Sequence, residues 1–175
     1  MNQYTTRIVT ILEELGIPGG FMTATAMPLQ QEASELADAG MDMFDRPLRM
    51  TPGTLKQWRS MRRAALEDGV DLILVSAFRS VDYQRNLIRA KLDRGQRIED
   101  ILTVNAPPGY SEHHTGRALD IATPGQEPLT EAFEFTDAFG WLTGNASRFD
   151  FSLSYPRDNP FGIVFEPWHW AHQPD

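Results

Sequence analysis

The chain has no cysteine among its 175 residues. That excludes a disulfide framework, a thiolate-held metal and a thiol nucleophile, and leaves any metal to histidine and carboxylate ligands. Histidine is itself scarce, at four residues. No apolar run approaches the length of a membrane span, and the first twenty residues lack the basic start and apolar stretch of a signal peptide. The compartment expected on that basis is the cytoplasm, or the periplasm or exterior if a leader has been removed. Basic charge is also in deficit. A formal net charge of −8 removes the counterion-displacing face that nucleic-acid binding requires. Internal repeats and low-complexity tracts are absent. What remains is a length suited to one domain, residues 1–175, with 41% hydrophobic residues to fill its core, and a monomer as the default state.

Hydrophobic periodicity predicts the helices. Ile8, Ile11, Leu12 and Leu15 recur at helical spacing before Gly16, and a second short helical pattern runs around Glu32 to Ala39. Thr51-Pro52 supplies a cap and a first-turn proline for a helix whose apolar face is Leu55, Trp58, Met61, Ala65 and Leu66. Leu72 to Phe78 reads as a buried strand that delivers Arg79 at its end. Ser80 caps the next helix, whose core side is expected to be Tyr83, Leu87, Ala90 and Lys91. A short helix through Ile98, Ile101 and Leu102 leads to a Pro- and Gly-rich loop. Strands are expected at Arg117 to Ala122, Gly162 to Glu166 and Trp168 to His172, with a helix from about Thr136 to Arg148 between the first two. Strands and helices without regular alternation imply an α+β fold, a small mostly antiparallel sheet with helices packed around it.

The histidines fall in two short segments. Ser111 to Asp120 carries His113, His114 and Asp120, and Glu166-Pro167-Trp168-His169 carries a second imidazole with a free carboxylate, with His172 just beyond. Two imidazoles and one carboxylate suit zinc with a fourth position left for water, and a further glutamate suits a proton acceptor. Taken alone, the first segment is equally a solvated polar loop with a capping aspartate. The second segment is what makes a hydrolytic metal site the better reading, with Glu166 as general base. His172 is three residues from His169 and would face the other way in a strand, so it is expected at the surface or behind the ligands. The same parity would turn Glu166 away from His169 unless Pro167 bends the chain. A helical His-Glu-x-x-His arrangement is absent, which excludes the thermolysin-type plan.

Ser111-x-His113-x-x-Gly116-x-Ala118-x-Asp120 followed by Glu166-x-x-His169 resembles the zinc D,D-carboxypeptidases of the VanY type, relatives of the D-Ala-D-Ala dipeptidases and bacterial L,D-carboxypeptidases. Ser76-Ala77-Phe78-Arg79-Ser80 with Gln84 resembles the family's Ser-Gly-Tyr-Arg-Ser and downstream Gln, with Ala77 and Phe78 as departures. The resemblance covers roughly the last hundred residues, and those before Pro47 match nothing in it. It implies a D,D-peptidase-like (hedgehog-type) fold with residues 47–175 as catalytic core, while residues 1–46, read from their own pattern, are expected to form an N-terminal helical wrap of unassigned role. It implies His113, Asp120 and His169 as the zinc ligands, since its register selects His113 over His114. Arg79 would then grip a substrate carboxylate or stabilise an oxyanion. Gln84 and Ser111 would hydrogen-bond the terminal residue, and Trp168 would line the cleft. The implied activity is removal of a C-terminal D-alanine from peptidoglycan stem peptides or precursors. L,D-carboxypeptidase, dipeptidase or endopeptidase action on muropeptides, and a catalytically silent zinc-containing binding module, are the alternatives.

Overall fold

A computed structural model describes residues 2–173. Four antiparallel strands form the main sheet: β3 (Ile73–Ser76), β4 (Ala118–Ala122), β6 (His169–His172) and β5 (Phe151–Leu153), in the order β3-β4-β6-β5. A separate two-stranded ribbon pairs β1 (Ala37–Met41) with β2 (Pro47–Met50). Among the described residues, six α-helices surround them: α1 (Gln3–Glu14), α2 (Phe21–Ala24), α3 (Pro52–Glu67), α4 (Val81–Asp93), α5 (Ile98–Val104) and α6 (Asp137–Asn145). The expected α+β architecture is the observed one. Among the described residues, no helix is long and apolar enough to cross a membrane.

Local chemistry accounts for the elements that carry the site. The Thr51 hydroxyl accepts from the Thr54 amide and Pro52 opens α3, while the Ser80 hydroxyl accepts from the Tyr83 amide at the start of α4. Both caps fall where the sequence places them. One face of β4 and β6 carries Leu119, Ile121 and Trp170 into a core shared with Trp58, Met61 and Leu142. Because side chains alternate along a strand, Asp120 and His169 must then lie on the opposite face. A second core, built on Ile8, Leu12, Val81, Ile88, Ile101, Tyr110 and Tyr155, joins α1 and α4 to the loops on that side. The site lies between these two apolar masses.

Several expectations fail in whole or in part. The segment around Glu32 to Ala39 is not helical: it runs extended and enters β1. Its backbone bonds to the loop across from it, Ala33 N–H to the His114 carbonyl and Gln30 N–H to that of Gly109, and those long-range partners override a weak local pattern. Residues 163–166 form no strand. They precede a turn in which the His169 amide donates to the Glu166 carbonyl at 3.1 Å. The buried face of α4 is Val81, Gln84 and Ile88, while Tyr83 is half exposed; a buried glutamine broke the apolar pattern and shifted the apparent face. His172 is buried, its Nδ1 3.0 Å from the Thr54 hydroxyl and its ring against Phe151.

Candidate metal centre

Three elements deliver three potential ligands to one point. Asp120 and His169 are directly paired between β4 and β6. His113 sits on a 3-10 helix, Glu112–Thr115, which ends at Gly116 with φ +66° and ψ 17°. That left-handed conformation suits glycine, and a Cβ there would come within 2.9 Å of the Leu36 side chain. Gly116 thus turns the chain from His113 into β4. One ligand atom each from His113, Asp120 and His169 lies within 4.8 Å of the others, and all three residues are buried.

Hydrogen bonding orients both imidazoles. His113 Nδ1 donates to the Ala77 carbonyl at 2.6 Å, which fixes the tautomer because a carbonyl only accepts. Its Nε2 is then a bare acceptor, buried without a hydrogen-bond partner and 3.3 Å from Asp120 Oδ2. An orphaned buried lone pair is costly unless a cation takes it. His169 is held the other way round. Its Nε2 lies 2.9 Å from Glu112 Oε2, and its Nδ1 lies 3.1 Å from Asp120 Oδ1. A carboxylate behind a histidine is the usual support of a metal-ligating ring. Sequence reasoning missed Glu112. Its partner is 57 positions away, and only its place beside His113 hinted at a role.

The electrostatics also call for a cation. Burial alone would lower His169, yet the hydrogen bonds to Asp120 and Glu112 push it up to about 10. His113 is pulled down to about 4, first by burial and then by Arg79. Glu166 is pushed up to about 7, chiefly by burial and then by the Asp120 and Glu112 carboxylates, with His169 and Arg79 opposing. Three acids around two imidazoles make a set that a divalent ion neutralises, and the nitrogen and oxygen donors with no sulfur suit zinc.

A cavity of about 260 Å³ opens onto this cluster. Arg79, Asp120, Glu166 and Trp168 line it, together with Lys91 and Asn105. Glu166 Oε2 lies 3.7 Å from His169 Nδ1. The turn at Pro167-Trp168 achieves this, because Glu166 precedes the strand and strand parity does not apply to it. Arg79 Nη2 is 3.9 Å from Asp120 Oδ2, while its Nε is buried without a partner.

The remaining candidates stand apart from the cavity wall. Gln84 is buried, and its Nε2 donates to the Ala106 carbonyl at 2.8 Å. Ser111 is buried where the 3-10 helix begins, and its carbonyl accepts from the His114 amide. His114 points elsewhere: Nδ1 donates to the Arg79 carbonyl at 2.6 Å and Nε2 accepts from the Gly109 amide at 3.1 Å. It braces the loop and offers no free nitrogen.

Comparison with known proteins bears on the same residues. The sequence pattern of the VanY family, described as D-alanyl-D-alanine carboxypeptidase, matches residues 47–175. The chain belongs to this family. A D-alanyl-D-alanine carboxypeptidase of Enterococcus faecalis is 31% identical over 119 residues, covering 62% of this chain and 42% of that protein. Among solved structures, the LdcB LD-carboxypeptidase superposes with a TM-score of 0.73 at 29% identity, covering 83% of this chain and 71% of that one. A mutant of the vancomycin resistance D,D-pentapeptidase VanY, solved in complex with Zn(II), gives 0.63 at 27% identity, covering 83% and 82%. The chain spans about half or less of the length of the first curated relatives it matches.

Proposed function

We propose that this VanY-family chain is a zinc-dependent carboxypeptidase that releases a C-terminal D-alanine from peptidoglycan stem peptides or their precursors. The observation that carries the reading is the convergence of His113 Nε2, Asp120 and His169 Nδ1 beside a buried Glu166, on a cavity that Arg79 also lines. These three side chains would hold the ion. Zinc in such a site supplies Lewis acidity, which polarises a carbonyl and makes water a nucleophile at neutral pH.

The protein's own groups do the rest. Glu166, 3.7 Å from the ligand atom of His169, accepts the proton of the attacking water on a carboxylate oxygen and passes it to the departing amine. Its raised pKa suits both halves of that transfer. The Arg79 guanidinium faces the developing negative charge or the substrate carboxylate, and Trp168 walls the cavity and shields the reacting atoms from bulk water. Residues 1–46 act with the catalytic core as one unit. The bonds from Ala33 to His114 and from Gln30 to Gly109 support a role in bracing the loop that carries His113.

A second reading, L,D-carboxypeptidase action, uses the same ligands and draws support from the higher TM-score of LdcB. Incubating the zinc-loaded protein with defined tri-, tetra- and pentapeptides separates the two. Release of D-alanine from the pentapeptide is expected, and release from the tetrapeptide alone would transfer the assignment to the L,D reaction. Glu166→Gln is expected to keep its zinc and lose activity about 100-fold or more; full turnover by that variant would remove Glu166 from the mechanism.

A further inference from the structure

Two cations line the cavity, and they are held differently. Arg79 is tied to the ligand cluster, with its guanidinium 3.9 Å from Asp120 and its amide donating to the His113 carbonyl at 3.2 Å. Lys91 lies two helical turns beyond Gln84 along α4, where its ammonium donates to Asn105 Oδ1. Among the described residues no carboxylate approaches Lys91 within ion-pair distance, although Arg7, Arg46, Arg62, Arg85 and Arg157 all have acidic partners. A partly buried ammonium without a counter-charge is unfavourable. Burial, Arg79 and Arg94 all lower its pKa. An anion entering the cavity would reverse that penalty.

The rim narrows the choice of anion. Val104, Leu129 and Val164 line the same cavity and are exposed, so its rim offers apolar contact alongside the Lys91 ammonium. A carboxylate carried on a small apolar residue fits this combination. Gln84, the other group expected to meet the substrate terminus, has its amide nitrogen committed to the Ala106 carbonyl. Lys91 and Asn105 are free of such a commitment to the main chain.

Resting on the carboxypeptidase reading above, we propose that Lys91, oriented by Asn105, receives the C-terminal carboxylate of the peptide and so selects free chain ends over internal bonds. Arg79, beside Asp120, then faces the scissile carbonyl. The pair acts as a specificity determinant and takes no part in proton transfer.

The test compares zinc-loaded wild-type and variant proteins on an N-acetylated peptide ending in D-Ala-D-Ala, offered as the free acid and as the C-terminal amide. Wild type is expected to prefer the acid by about tenfold or more. Lys91→Met brings the acid-to-amide ratio near one, with the loss in KM more than in kcat, and Lys91→Arg restores it. Asn105→Ala reduces the ratio in part and serves if Lys91→Met does not fold. A wild type without acid preference, or a folded Lys91→Met that keeps the wild-type ratio, overturns the proposal. A parallel titration with N-acetyl-D-alanine and its amide, followed by NMR, needs no turnover. If no peptide is cleaved, the carboxypeptidase reading falls, whereas acid-selective binding lost in Lys91→Met upholds the carboxylate site and equal binding of acid and amide overturns it.

Discussion

Asp120 and His169 occupy directly opposed positions on β4 and β6, and their side chains meet at 3.1 Å from Asp120 Oδ1 to His169 Nδ1. The pairing places both on the sheet face opposite Leu119 and Trp170, which are themselves paired across the same two strands. The core therefore fixes the site: any slip of register that exposed Leu119 would carry Asp120 into the apolar layer. Metal affinity and fold stability are therefore expected to be coupled through this one ladder.

Glu112 supports His169 from behind, at 2.9 Å from Nε2. Burial raises its pKa, but the hydrogen bond and charge of His169 outweigh that and hold it below the usual carboxylate range. Glu112→Ala is expected to weaken zinc binding about 10- to 100-fold, measured by competition with a chromogenic chelator. NMR titration of the metal-free protein should show the His169 imidazolium of wild type losing its proton at lower pH in the variant, because one of its two carboxylate partners is gone. Unchanged affinity and titration would show that Glu112 is a bystander.

Gly116→Ala forces a side chain into a left-handed backbone position and against Leu36 and Thr51. A loss of about 1 kcal/mol or more is expected, read as a lower melting temperature. Because Gly116 aims the chain between His113 and Asp120, zinc affinity should fall as well. Gly125 also has a positive φ but meets nothing within 4 Å. Gly125→Ala should therefore lower stability by strain alone and leave zinc binding intact.

His172 links stability to pH. Burial lowers its pKa below 6.5, with Asp150 opposing and Arg117 adding to the shift. Between the lowered folded value and 6.5 the unfolded chain binds a proton that the folded chain does not, so His172 costs stability as pH falls through that window. Chemical denaturation at several pH values should show His172→Gln losing less stability on acidification below pH 6.5 than wild type. An identical slope in the two proteins would contradict this.

Much of the candidate site is legible in the sequence because its potential ligands lie in short contiguous segments with fixed local geometry. Ser111 to Asp120 holds two of them and the glycine that turns between them, and Glu166 with His169 needs only a tight turn. The less legible parts depend on distant partners. Glu112 meets His169 from 57 positions away, and Lys91 faces a cavity that Asn105 and Val164 also line. The same holds for the fold. The helices α1 and α3 follow from apolar spacing and caps, whereas β1, with the sequence Ala-Asp-Ala-Gly-Met, has poor strand propensity and exists because it pairs with β2. In α4 the buried Gln84 broke the pattern from which its face would be read.

If His113, Asp120 and His169 together hold one zinc ion, zinc content after equilibrium dialysis should reveal it, determined for wild type and for His113→Ala, Asp120→Ala and His169→Ala. One zinc per wild-type chain is expected, with a large loss in each variant and all three variants folded by circular dichroism. A folded variant that binds zinc as tightly as wild type would show that the side chain it lacks is not a ligand.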